Sequence, residues 1–421
     1  MSKIQISTRR SLTPVNDALR IFLDQFQKGS LGSETIQADN ALGRVVSEDI
    51  IATMNLPQYD RAAMDGYAIR SIDTSSASET NPVTLEVVGN VAMGSVPNLV
   101  LSPGQTVTVA TGALLPRSAN AVLMLEFSRK AGRSKISAMR TIAPGEHVAR
   151  IGEDVVKGCT VLKRGLRLRP QDLGIIAALG KTEVRVFRRP TVACLSTGNE
   201  IVRPKRKLSP GEVYDINGPV IRAMVCEIGC EPIDLGVVPD ERKALREKLL
   251  AGLHAADVTL VSGGTSVGER DIVPEVVSSL GNPGVIIHGV KMRPGSPVGL
   301  ACVDGKAIVL LSGYPVAAMM AFRVFVRPLL TYLQSSMQES DPKVKARLLT
   351  GVRSQKGIRT FARVRLKKVR DGFVADLIQR SGAGIISSMT ESDGLLVIPE
   401  IEEEYEKGKE VEIILLRPLE P

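Results

Sequence analysis

A glycine-rich run with hydroxyl and acidic side chains lies in the middle of the chain and could bind a phosphate. The run is Ser262-Gly-Gly-Thr-Ser-Val-Gly-Glu-Arg-Asp271. Its glycines allow main-chain N–H groups to approach an anion closely, and its hydroxyl groups add further donors. A plain turn between a strand and a helix has a similar composition, so the run alone does not establish a phosphate site. The candidate phosphate-binding residues are Ser262, Gly263, Gly264, Thr265, Ser266 and Gly268.

Three carboxylates near this run could act together with a divalent cation. Glu200, Asp240 and Asp271 lie downstream of apolar segments that have the composition of strands. Carboxylates beside an anionic ligand repel it unless a cation bridges them, and Mg²⁺ commonly joins one or two carboxylates to phosphate oxygens. The sequence therefore predicts a magnesium site. An alternative for Asp240 is capping of a helix that starts at Glu241, and Asp271 could likewise cap a helix that begins near Val273.

Basic side chains occur further along the chain, in the segment Lys291-Met-Arg293-Pro-Gly-Ser296-Pro. An arginine can bind an oxyanion through two parallel hydrogen bonds, so Arg293 is a candidate for the anionic end of a ligand. The alternative is an ordinary Pro-Gly turn that carries exposed basic residues.

The part of the chain that contains these motifs has the pattern of a parallel sheet with helices between its strands. Apolar runs at 191–195, 233–238, 258–261 and 307–311 alternate with helical patterns at 220–228, 241–254 and 273–280. We predict a doubly wound α/β domain. Ligands of such sheets bind beyond the carboxyl ends of the strands, where the glycine run and the carboxylates would meet.

The remainder of the chain is predicted to be mainly β-structure with two helices. Thr13 and Pro14 are typical of the N-cap and first position of an amphipathic N-terminal helix. Short apolar runs between 82 and 127 predict a small β-rich domain, and the residues after 170 predict a short helix that ends at Gly180. Strands return after 343, with Asp371-Gly372 as a hairpin turn.

Length and composition limit the class of protein. The 421 residues exceed one ordinary hydrophobic core, so several domains are expected. No apolar run is long enough to cross a membrane and the N-terminus lacks the pattern of a secretory signal, so we expect a cytoplasmic protein. The net charge of +9 suits a small anionic substrate or a nucleic acid, but aromatic residues make up only 3% of the chain. Because we also find no motif of a nucleic-acid-binding module, we expect no nucleic-acid or membrane partner.

The cysteines do not predict a disulfide framework. There are five of them, an odd number, spread along the chain. Cys226 and Cys230 would share one helix face, but with only three histidines in the chain a zinc site lacks further ligands. We therefore favour reduced thiols that serve packing.

Further sequence strings extend over nearly the whole chain. They are YDRAAMDGYA (59–68), VATGA (109–113), RIGED (150–154), STGNE (196–200) and YDIN (214–217). With the glycine run, their order and spacing resemble the motifs of the molybdopterin molybdenumtransferase family, which includes bacterial and archaeal MoeA and the gephyrin E domain. The string AMDGYA (63–68) is highly specific.

The resemblance implies an α/β and β multidomain fold, with a doubly wound parallel-sheet molybdopterin-binding domain, a β-rich inserted domain and a C-terminal β-barrel. The implied boundaries are 1–54 with 146–187 for a composite N-terminal linker domain, 55–145 for the β-rich domain, 188–335 for the α/β domain and 343–421 for the barrel. It also implies an elongated homodimer. The active cleft would lie between the α/β domain of one subunit and the β-rich domain of the other.

The implied reaction cleaves adenylyl-molybdopterin with the help of Mg²⁺, releases AMP and inserts molybdate or tungstate into the dithiolene of the pterin. Residues that match the family's motifs carry over one by one. The implied catalytic residues are Asp65, Thr111, Glu200, Asp240 and Asp271, of which the last three would hold the metal. The implied substrate-binding residues, besides the glycine run, are Asp154, Asp215, Arg293, Ser296, Gly313, Pro315, Arg363 and Ser388.

The chain departs from the family pattern in two segments. Where many members have Lys-Pro-Gly-Lys-Pro, it has Arg293-Pro-Gly-Ser-Pro297, with neutral Ser296 in place of the second cation. Where they often have Pro-Gly-Asn-Pro, it has Ser312-Gly-Tyr-Pro315. Molybdate and tungstate have nearly the same shape and charge, so the choice between them stays open.

Two alternative functions also stay open. A molybdopterin adenylyltransferase shares the glycine run and its aspartate but would need only the α/β domain, which ends near Leu333; that enzyme is also a candidate partner. A molybdopterin-binding scaffold would keep the acidic residues without turnover. A measurement of AMP release would separate these alternatives.

Overall fold

The computed structural model of the protein describes residues 12–204, 207–264, 272–337, 340–379 and 382–419. Four of the predicted site residues lie outside the described residues. They are Thr265, Ser266, Gly268 and Asp271.

The N-terminal helix is Val15–Leu23, and its N-cap is Pro14, which makes no capping bond through its side chain. The prediction that Thr13 caps this helix is wrong, because Thr13 instead forms a parallel bridge with Val290. A partner distant in sequence determines the conformation of this residue. The predicted apolar face is confirmed, since the buried residues of the helix are Val15, Ala18 and Phe22.

The predicted β-rich domain is built on one six-stranded sheet. Its apolar strands confirm the pattern seen between 82 and 127 in the sequence. In sheet order, the strands are Ala121–Met124, Gly66–Ile69, Gln105–Val109, Val83–Val91, Lys135–Ala138 and Ser128–Lys130. Short 3₁₀ helices lie at Ser71–Thr74 and Leu125–Phe127.

Short antiparallel pairs join chain segments that lie on either side of this domain in sequence. The pairs are Ser33–Gln37 with Glu183–Phe187, Ile50–Ile51 with Thr160–Leu162, and Arg61–Ala62 with Val148–Ala149. A 3₁₀ helix lies at Ala38–Asn40. The predicted helix after 170 is Pro170–Ala178, and Gly180 follows it with a φ of +69°, as expected of a glycine that ends a helix.

The predicted α/β domain contains a second six-stranded sheet. In sheet order, its strands are Glu231–Val238, Thr191–Thr197, Val258–Ser262, Lys306–Leu311, Gly299–Val303 and Pro283–His288. The first four are parallel, as predicted; Gly299–Val303 is antiparallel to both of its neighbours, so Pro283–His288 runs in the same direction as the first four. The antiparallel strand was not predicted. A two-residue turn, Asp304-Gly305, joins Gly299–Val303 to Lys306–Leu311, and both turn residues have a positive φ, as in a type I′ hairpin.

Helices cover both faces of this sheet, which confirms a doubly wound arrangement. Asn217–Glu227 and the apolar helix Pro315–Leu333 pack with the N-terminal helix on one face. Arg242–Ala255 and Ile272–Ser278 pack together on the other face. The segment Pro315–Leu333 is long and apolar enough to cross a membrane, but 61% of it is buried inside the protein, as in a core helix. It consists of Pro315–Ala321, a π-helical turn Phe322–Val326 and Arg327–Leu333.

The C-terminal region forms a closed five-stranded barrel, as predicted. Around the barrel, the strands are Arg359–Val369, Gly372–Leu377, Lys343–Leu348, Glu410–Leu415 and Gly394–Ile398, which pairs back to the first. The hairpin predicted at Asp371-Gly372 is present, but its turn is Arg370-Asp371, because Gly372 already pairs with Val369. A short pair, Val352–Arg353 with Glu404–Tyr405, and the helix Ser387–Thr390 complete this region, and Met292–Arg293 from the α/β domain pairs with the barrel strand Arg359–Val369.

The five cysteines are free thiols. Cys226 lies in the helix Asn217–Glu227, whereas Cys230 follows Gly229, which has a φ of +76°. The expectation that the two cysteines share a helix face is therefore wrong, because the helix ends before Cys230. Burial raises the pKa of the Cys194 and Cys230 thiols to about 12, so both remain protonated at neutral pH and pack as small apolar groups.

Candidate active site

The carboxyl ends of four parallel strands bring several predicted residues to one edge of the α/β sheet. Loops at this edge have their main-chain groups free of the sheet ladder, which is why ligands of such sheets bind there. The predicted residues at or after the ends of these strands are Glu200, Asp240, Ser262, Gly263, Gly264, Gly313 and Pro315. Two short strands, Ile201–Val202 and Val213–Tyr214, pair beside them and lead to Asp215.

The glycines at 263 and 264 are required by close contacts. Gly263 has a φ of +107° and donates its N–H to the carbonyl of Leu311 at 3.1 Å. A Cβ at this position would lie 2.1 Å from the carbonyl oxygen of Thr197, and one at Gly264 would lie 2.5 Å from Cγ2 of Val273. The start of the glycine run therefore lies against Thr197 and Val273, and neither glycine position has room for a side chain. These contacts explain why glycine occupies both positions; binding of a phosphate at the run stays a prediction.

Asp240 is held at the sheet edge by the neighbouring strand end. The hydroxyl of Thr197 donates to Oδ1 of Asp240 at 2.6 Å, and the N–H of Asp240 donates to Oδ1 of Asn199 at 3.1 Å. The following helix begins at Arg242 with Glu241 as its N-cap, so the alternative that Asp240 caps this helix is wrong. The bonds from Thr197 and Asn199 instead fix the Asp240 carboxylate beside the end of Thr191–Thr197.

Glu200 is exposed and folds back over its own turn. A Cβ added to Gly198 would lie 3.1 Å from both carboxylate oxygens of Glu200. The main-chain carbonyl of Glu200 accepts the N–H of Val213 at 2.9 Å. Glu200 and Asp240 thus both occupy the carboxyl-end edge of the sheet.

Asp215 and Asn217 form a buried polar cluster at the same edge. Oδ1 of Asp215 accepts the Ser196 hydroxyl at 3.0 Å and the N–H of Gly218 at 2.9 Å. The side-chain amide of Asn217 donates to the hydroxyl oxygen of Ser262 at 2.6 Å. Asp215 and Ser262 were both predicted from the sequence. Asp215 belongs to this turn, and Ser262 is bound to it through Asn217.

A second acidic site lies in the β-rich domain. Oδ1 of Asp65 accepts two bonds from Thr111, one from its N–H at 2.7 Å and one from its hydroxyl at 2.8 Å. These bonds, the main-chain one first, hold the pKa of the Asp65 carboxyl below its ordinary value. Both residues are exposed, so an ionised carboxylate faces solvent here. The predicted pairing of Asp65 with Thr111 in one site is consistent with this geometry.

Asp154 lies in a separate part of the chain from the Asp65 pair. It is exposed, and its N–H donates to the carbonyl of Leu56 at 3.0 Å. It lies in the predicted composite N-terminal linker domain and directly precedes Val155, which forms a β-bridge with Leu56. The structure places it in neither the sheet-edge group nor the Asp65–Thr111 pair.

The candidate oxyanion residues lie where the α/β domain meets the barrel. Arg293 is exposed and is paired in register with Thr360 of the barrel strand that also carries Arg363. The Arg363 side chain is 3% exposed, and burial lowers the pKa of its guanidinium, although an arginine remains charged in proteins. Ser388 is 1% exposed and donates its hydroxyl to the carbonyl of Ile385 at 2.6 Å.

The hydroxyl of Ser296 has a structural partner. It donates to the carbonyl of Val290 at 2.9 Å, and the N–H of Val290 donates to the carbonyl of Ser296 at 2.9 Å. These two bonds close the turn that carries Arg293. The proton of the Ser296 hydroxyl is therefore used within the turn rather than offered to a ligand.

Tyr314 links the sheet edge to the barrel. A Cβ added to Gly384 would lie 3.1 Å from Cδ1 of the Tyr314 ring, and the N–H of Val316 donates to the carbonyl of Ala383 at 3.0 Å. The ring is 64% exposed. The departure at Tyr314 thus places an aromatic ring beside the segment that leads to Ser388.

The donor chemistry of the sheet edge fits Mg²⁺. Among residues 12–204, 207–264, 272–337, 340–379 and 382–419, no group of three or more His, Cys, Asp or Glu side chains is close enough to hold a metal ion. Mg²⁺, however, is commonly held by one or two carboxylates together with substrate phosphates. Glu200 and Asp240 offer such oxygens at one edge, and Asp271 lies outside the described residues.

Sequence reasoning missed the residues that fix the acidic groups. Thr197, Asn199 and Asn217 appear within the motif strings but were not assigned to the site. Their residue types could have indicated this role, because short polar side chains near the end of a buried strand can form hydrogen bonds with neighbouring loops. Which loop each one contacts depends on the tertiary structure.

Three family models match the chain in sequence order. They are described as the MoeA N-terminal region (domain I and II), a probable molybdopterin binding domain and the MoeA C-terminal region (domain IV). The matched residues are 13–180, 193–332 and 345–416.

Relatives are similar over nearly the full length. A putative molybdopterin biosynthesis protein of Methanocaldococcus jannaschii is 34% identical, over 97% of this chain and 99% of its own. The molybdopterin molybdenumtransferase of Bacillus subtilis is 30% identical, over 97% of this chain and 95% of its own. The crystal structure of a molybdopterin biosynthesis MoeA protein from Pyrococcus horikoshii OT3 has a TM-score of 0.84 and 35% identity, covering 96% of this chain and 100% of that one.

Proposed function

The chain belongs to the MoeA family of molybdopterin molybdenumtransferases, and we propose that it cleaves adenylyl-molybdopterin, releases AMP and inserts molybdate into the pterin dithiolene. It is thus an enzyme of molybdenum cofactor biosynthesis. The single observation that supports the proposed site best is the set of glycine turns and carboxylates at one sheet edge. The main chain that we propose to bind an anion and the carboxylate oxygens that we propose to bind a metal both lie at this edge.

The phosphates of the substrate are proposed to bind at the turn that starts with Ser262. The N–H of Gly263 already donates to the Leu311 carbonyl at 3.1 Å, so the N–H of Gly264 is the proposed main-chain donor to the anion. The turn containing Gly313 is next to it, since a Cβ at Gly313 would lie 3.7 Å from Cα of Gly263. The two turns together form the proposed cradle, which Thr265, Ser266 and Gly268 would extend.

Glu200 and Asp240, with Asp271, are proposed to hold Mg²⁺, which when bound neutralises charge on the phosphoanhydride. The chain's own contribution is to fix these oxygens. The Thr197 hydroxyl holds Asp240 through Oδ1 at 2.6 Å. A preorganised carboxylate loses little freedom when it meets its ligand, so it binds more tightly than a mobile one.

The oxyanion is proposed to bind at Arg293 and Arg363, whereas Ser388, whose hydroxyl already donates to the Ile385 carbonyl, would not donate to it. Two guanidinium groups supply charge where the α/β domain and the barrel meet through paired strands. Arginine holds a tetrahedral oxyanion through directed donors and stays charged even when buried. Molybdate is the proposed oxyanion, and tungstate is an equal candidate on shape and charge.

A homodimer with shared sites is also part of the proposal. Asp65 and Thr111 are built on the sheet of the β-rich domain, and the glycine turn is built on the α/β sheet. In a dimer, the ionised Asp65 carboxylate would complete the cleft of the other subunit. Mixing Asp65→Ala chains with Asp240→Ala chains should then restore roughly a quarter of wild-type activity, because half of the dimers are mixed and each has one intact cleft.

The function is tested with purified protein, adenylyl-molybdopterin, Mg²⁺ and molybdate. The expected result is stoichiometric release of AMP together with one molybdenum bound per molybdopterin, and tungstate is tested in parallel. Release of pyrophosphate from ATP and molybdopterin, without metal insertion, would instead indicate an adenylyltransferase. Tight binding of adenylyl-molybdopterin without any AMP would indicate a scaffold. A cytoplasmic location and the adenylyltransferase as a partner belong to the same proposal.

A further inference from the structure

The short segment 215–217 is hydrogen-bonded to the ends of three neighbouring parallel strands. Oδ1 of Asp215 accepts the hydroxyl of Ser196, in the strand Thr191–Thr197. Asn217, two residues later, donates its side-chain amide to Ser262, at the end of the next strand. The same amide donates to the carbonyls of Ser312 at 3.3 Å and Gly313 at 2.9 Å, just after the third strand.

The orientation of the Asn217 amide follows from these partners. Its Nδ2 faces two main-chain carbonyls, which can only accept, so a reversed amide would place oxygen against oxygen. The side chain is 8% exposed, so these bonds are shielded from water. Within the part of the chain that the structure describes, Oδ1 of Asn217 is buried and has no hydrogen-bond partner. The Asn217 side chain is therefore held in place by the hydrogen bonds that its N–H groups donate.

The two turns that Asn217 joins are those of the proposed phosphate cradle. Ser262 directly precedes the glycines at 263 and 264, and the Gly313 carbonyl that accepts from Asn217 is part of the second turn. The Ser262 hydroxyl also lies 3.3 Å from the Ser312 carbonyl, so the three groups form one network. Beyond the pairing of Ser262 with Leu311, the two turns are thus tied together by one side chain at the start of the helix Asn217–Glu227.

We propose that Asn217 is a positioning residue for adenylyl-molybdopterin cleavage, which sets the spacing of the Ser262–Gly264 and Ser312–Gly313 turns around the substrate phosphates. This inference rests on the proposed function. Asn217 does not itself touch the reacting atoms. It acts through the main-chain groups of the two turns, because their N–H groups bind an anion well only at the correct mutual distance.

The first test measures the turns without any substrate. Amide hydrogen exchange of residues 262–264 and 312–314 is compared between wild type and Asn217→Ala. Loss of the tie is expected to speed exchange in both segments by about tenfold or more, since local opening becomes easier. The matched control is Thr259→Val, which alters a buried hydroxyl of the same strand that has no hydrogen-bond partner among the described residues. It is expected to leave exchange in both turns unchanged.

The second test uses Asn217→Asp, which keeps the size of the side chain and makes its donor depend on pH. At pH 8 a carboxylate would face the two carbonyls and repel them, so AMP release should fall on the order of 10²-fold. A buried carboxyl near carbonyl oxygens has a raised pKa, so at about pH 5.5 it gains a proton and can donate again. The ratio of variant to wild-type activity is therefore expected to rise about tenfold between pH 8 and pH 5.5.

The outcomes separate the inference from the function on which it rests. Unchanged exchange and full AMP release in Asn217→Ala would overturn the positioning role alone. A ratio for Asn217→Asp that stays constant with pH would also overturn it, because a role carried by the side-chain donor must return when the carboxyl gains a proton. Wild type that releases no AMP would overturn the proposed function and the positioning role with it. If Asn217→Ala does not fold, Asn217→Asp at low pH still gives the answer.

Discussion

Thr111 donates both its main-chain N–H and its hydroxyl to a single carboxylate oxygen of Asp65, at 2.7 and 2.8 Å. The two groups are 46 residues apart in sequence and come from neighbouring strand ends of one sheet. Two donors on one oxygen favour the ionised form, which lowers the pKa of the carboxyl. An exposed carboxylate that is held in this way is available to a ligand or to a second chain.

The first prediction concerns this pair. Thr111→Val removes the hydroxyl and keeps the shape, so the pKa of Asp65 should rise toward its ordinary value. Because the pKa is lowered in the folded state, the bonds stabilise the protein above the unfolded pKa, and this contribution is lost as the pH falls through the folded value. The measurement is an NMR titration of the Asp65 carboxyl carbon below about pH 6.

Thr111→Ser is the matched control for this titration, since it keeps both donors. Its Asp65 should titrate as in wild type. An equal pKa in Thr111→Val and Thr111→Ser would show that the main-chain bond alone is responsible. AMP release by Thr111→Val should then also match that of Thr111→Ser.

The sequence predicted the strand ends well, because local patterns determine them. The apolar runs at 191–195 and 258–261 belong to buried parallel strands, and such strands are nearly continuous in apolar residues. The hairpin at Asp304-Gly305 was missed although this dipeptide is a strong hairpin signal. The alternation of strands and helices predicted a wholly parallel sheet, whereas Gly299–Val303 runs against the direction of the other five strands.

The contacts that arrange the site could not be predicted, because their partners are distant in sequence. Asn217 bonds to residues 45 and 96 positions away. Thr13 has the composition of a helix cap, but its parallel bridge to Val290 determines its conformation. Local preference for a cap is worth only about 1 kcal/mol, so strand pairing across the molecule can override it.

The second prediction concerns the oxyanion and follows from Ser296. Ser296→Lys adds a cation near Arg293 and loses the bond to the Val290 carbonyl. Ser296→Ala loses the same bond without adding charge, so it is the matched control. The molybdate concentration for half-maximal AMP release should be about threefold to tenfold lower in Ser296→Lys than in Ser296→Ala. Equal values in the two variants would indicate that Arg293 and Arg363 already supply sufficient charge.

The third prediction concerns metal binding by Asp240. Asp240→Asn keeps the shape and a hydrogen-bonding oxygen for Thr197 but removes the negative charge. AMP release should fall on the order of 10²-fold and recover in part at high Mg²⁺ concentration. The assay is a Mg²⁺ titration of initial rates. Glu241→Gln, at the adjacent N-cap that makes no side-chain capping bond, should remain near wild type. A rate for Asp240→Asn equal to that of Glu241→Gln would contradict the role.

The last prediction concerns the close approach of two strand ends at Gly263. Gly263→Ala places a Cβ 2.1 Å from the Thr197 carbonyl oxygen, at a φ of +107° that alanine rarely adopts. The strain from φ alone is about 1–3 kcal/mol, and relief of the contact requires the turn to move away from Thr197. Movement of the turn should lower AMP release on the order of 10²-fold and lower the apparent melting temperature.

Gly305→Ala separates these two effects. Gly305 has a φ of +83° at the opposite end of the same sheet, and a Cβ there would meet nothing within 4 Å. The Gly305→Ala variant has backbone strain of about 1–2 kcal/mol but no close contact of its Cβ. Its melting temperature should therefore fall while its AMP release stays near wild type. Loss of activity in both variants to the same extent would mean that lower stability, rather than displacement of the phosphate-binding turn, explains the defect. Loss in Gly263→Ala alone would show that the turn must lie against Thr197, the residue that also holds Asp240.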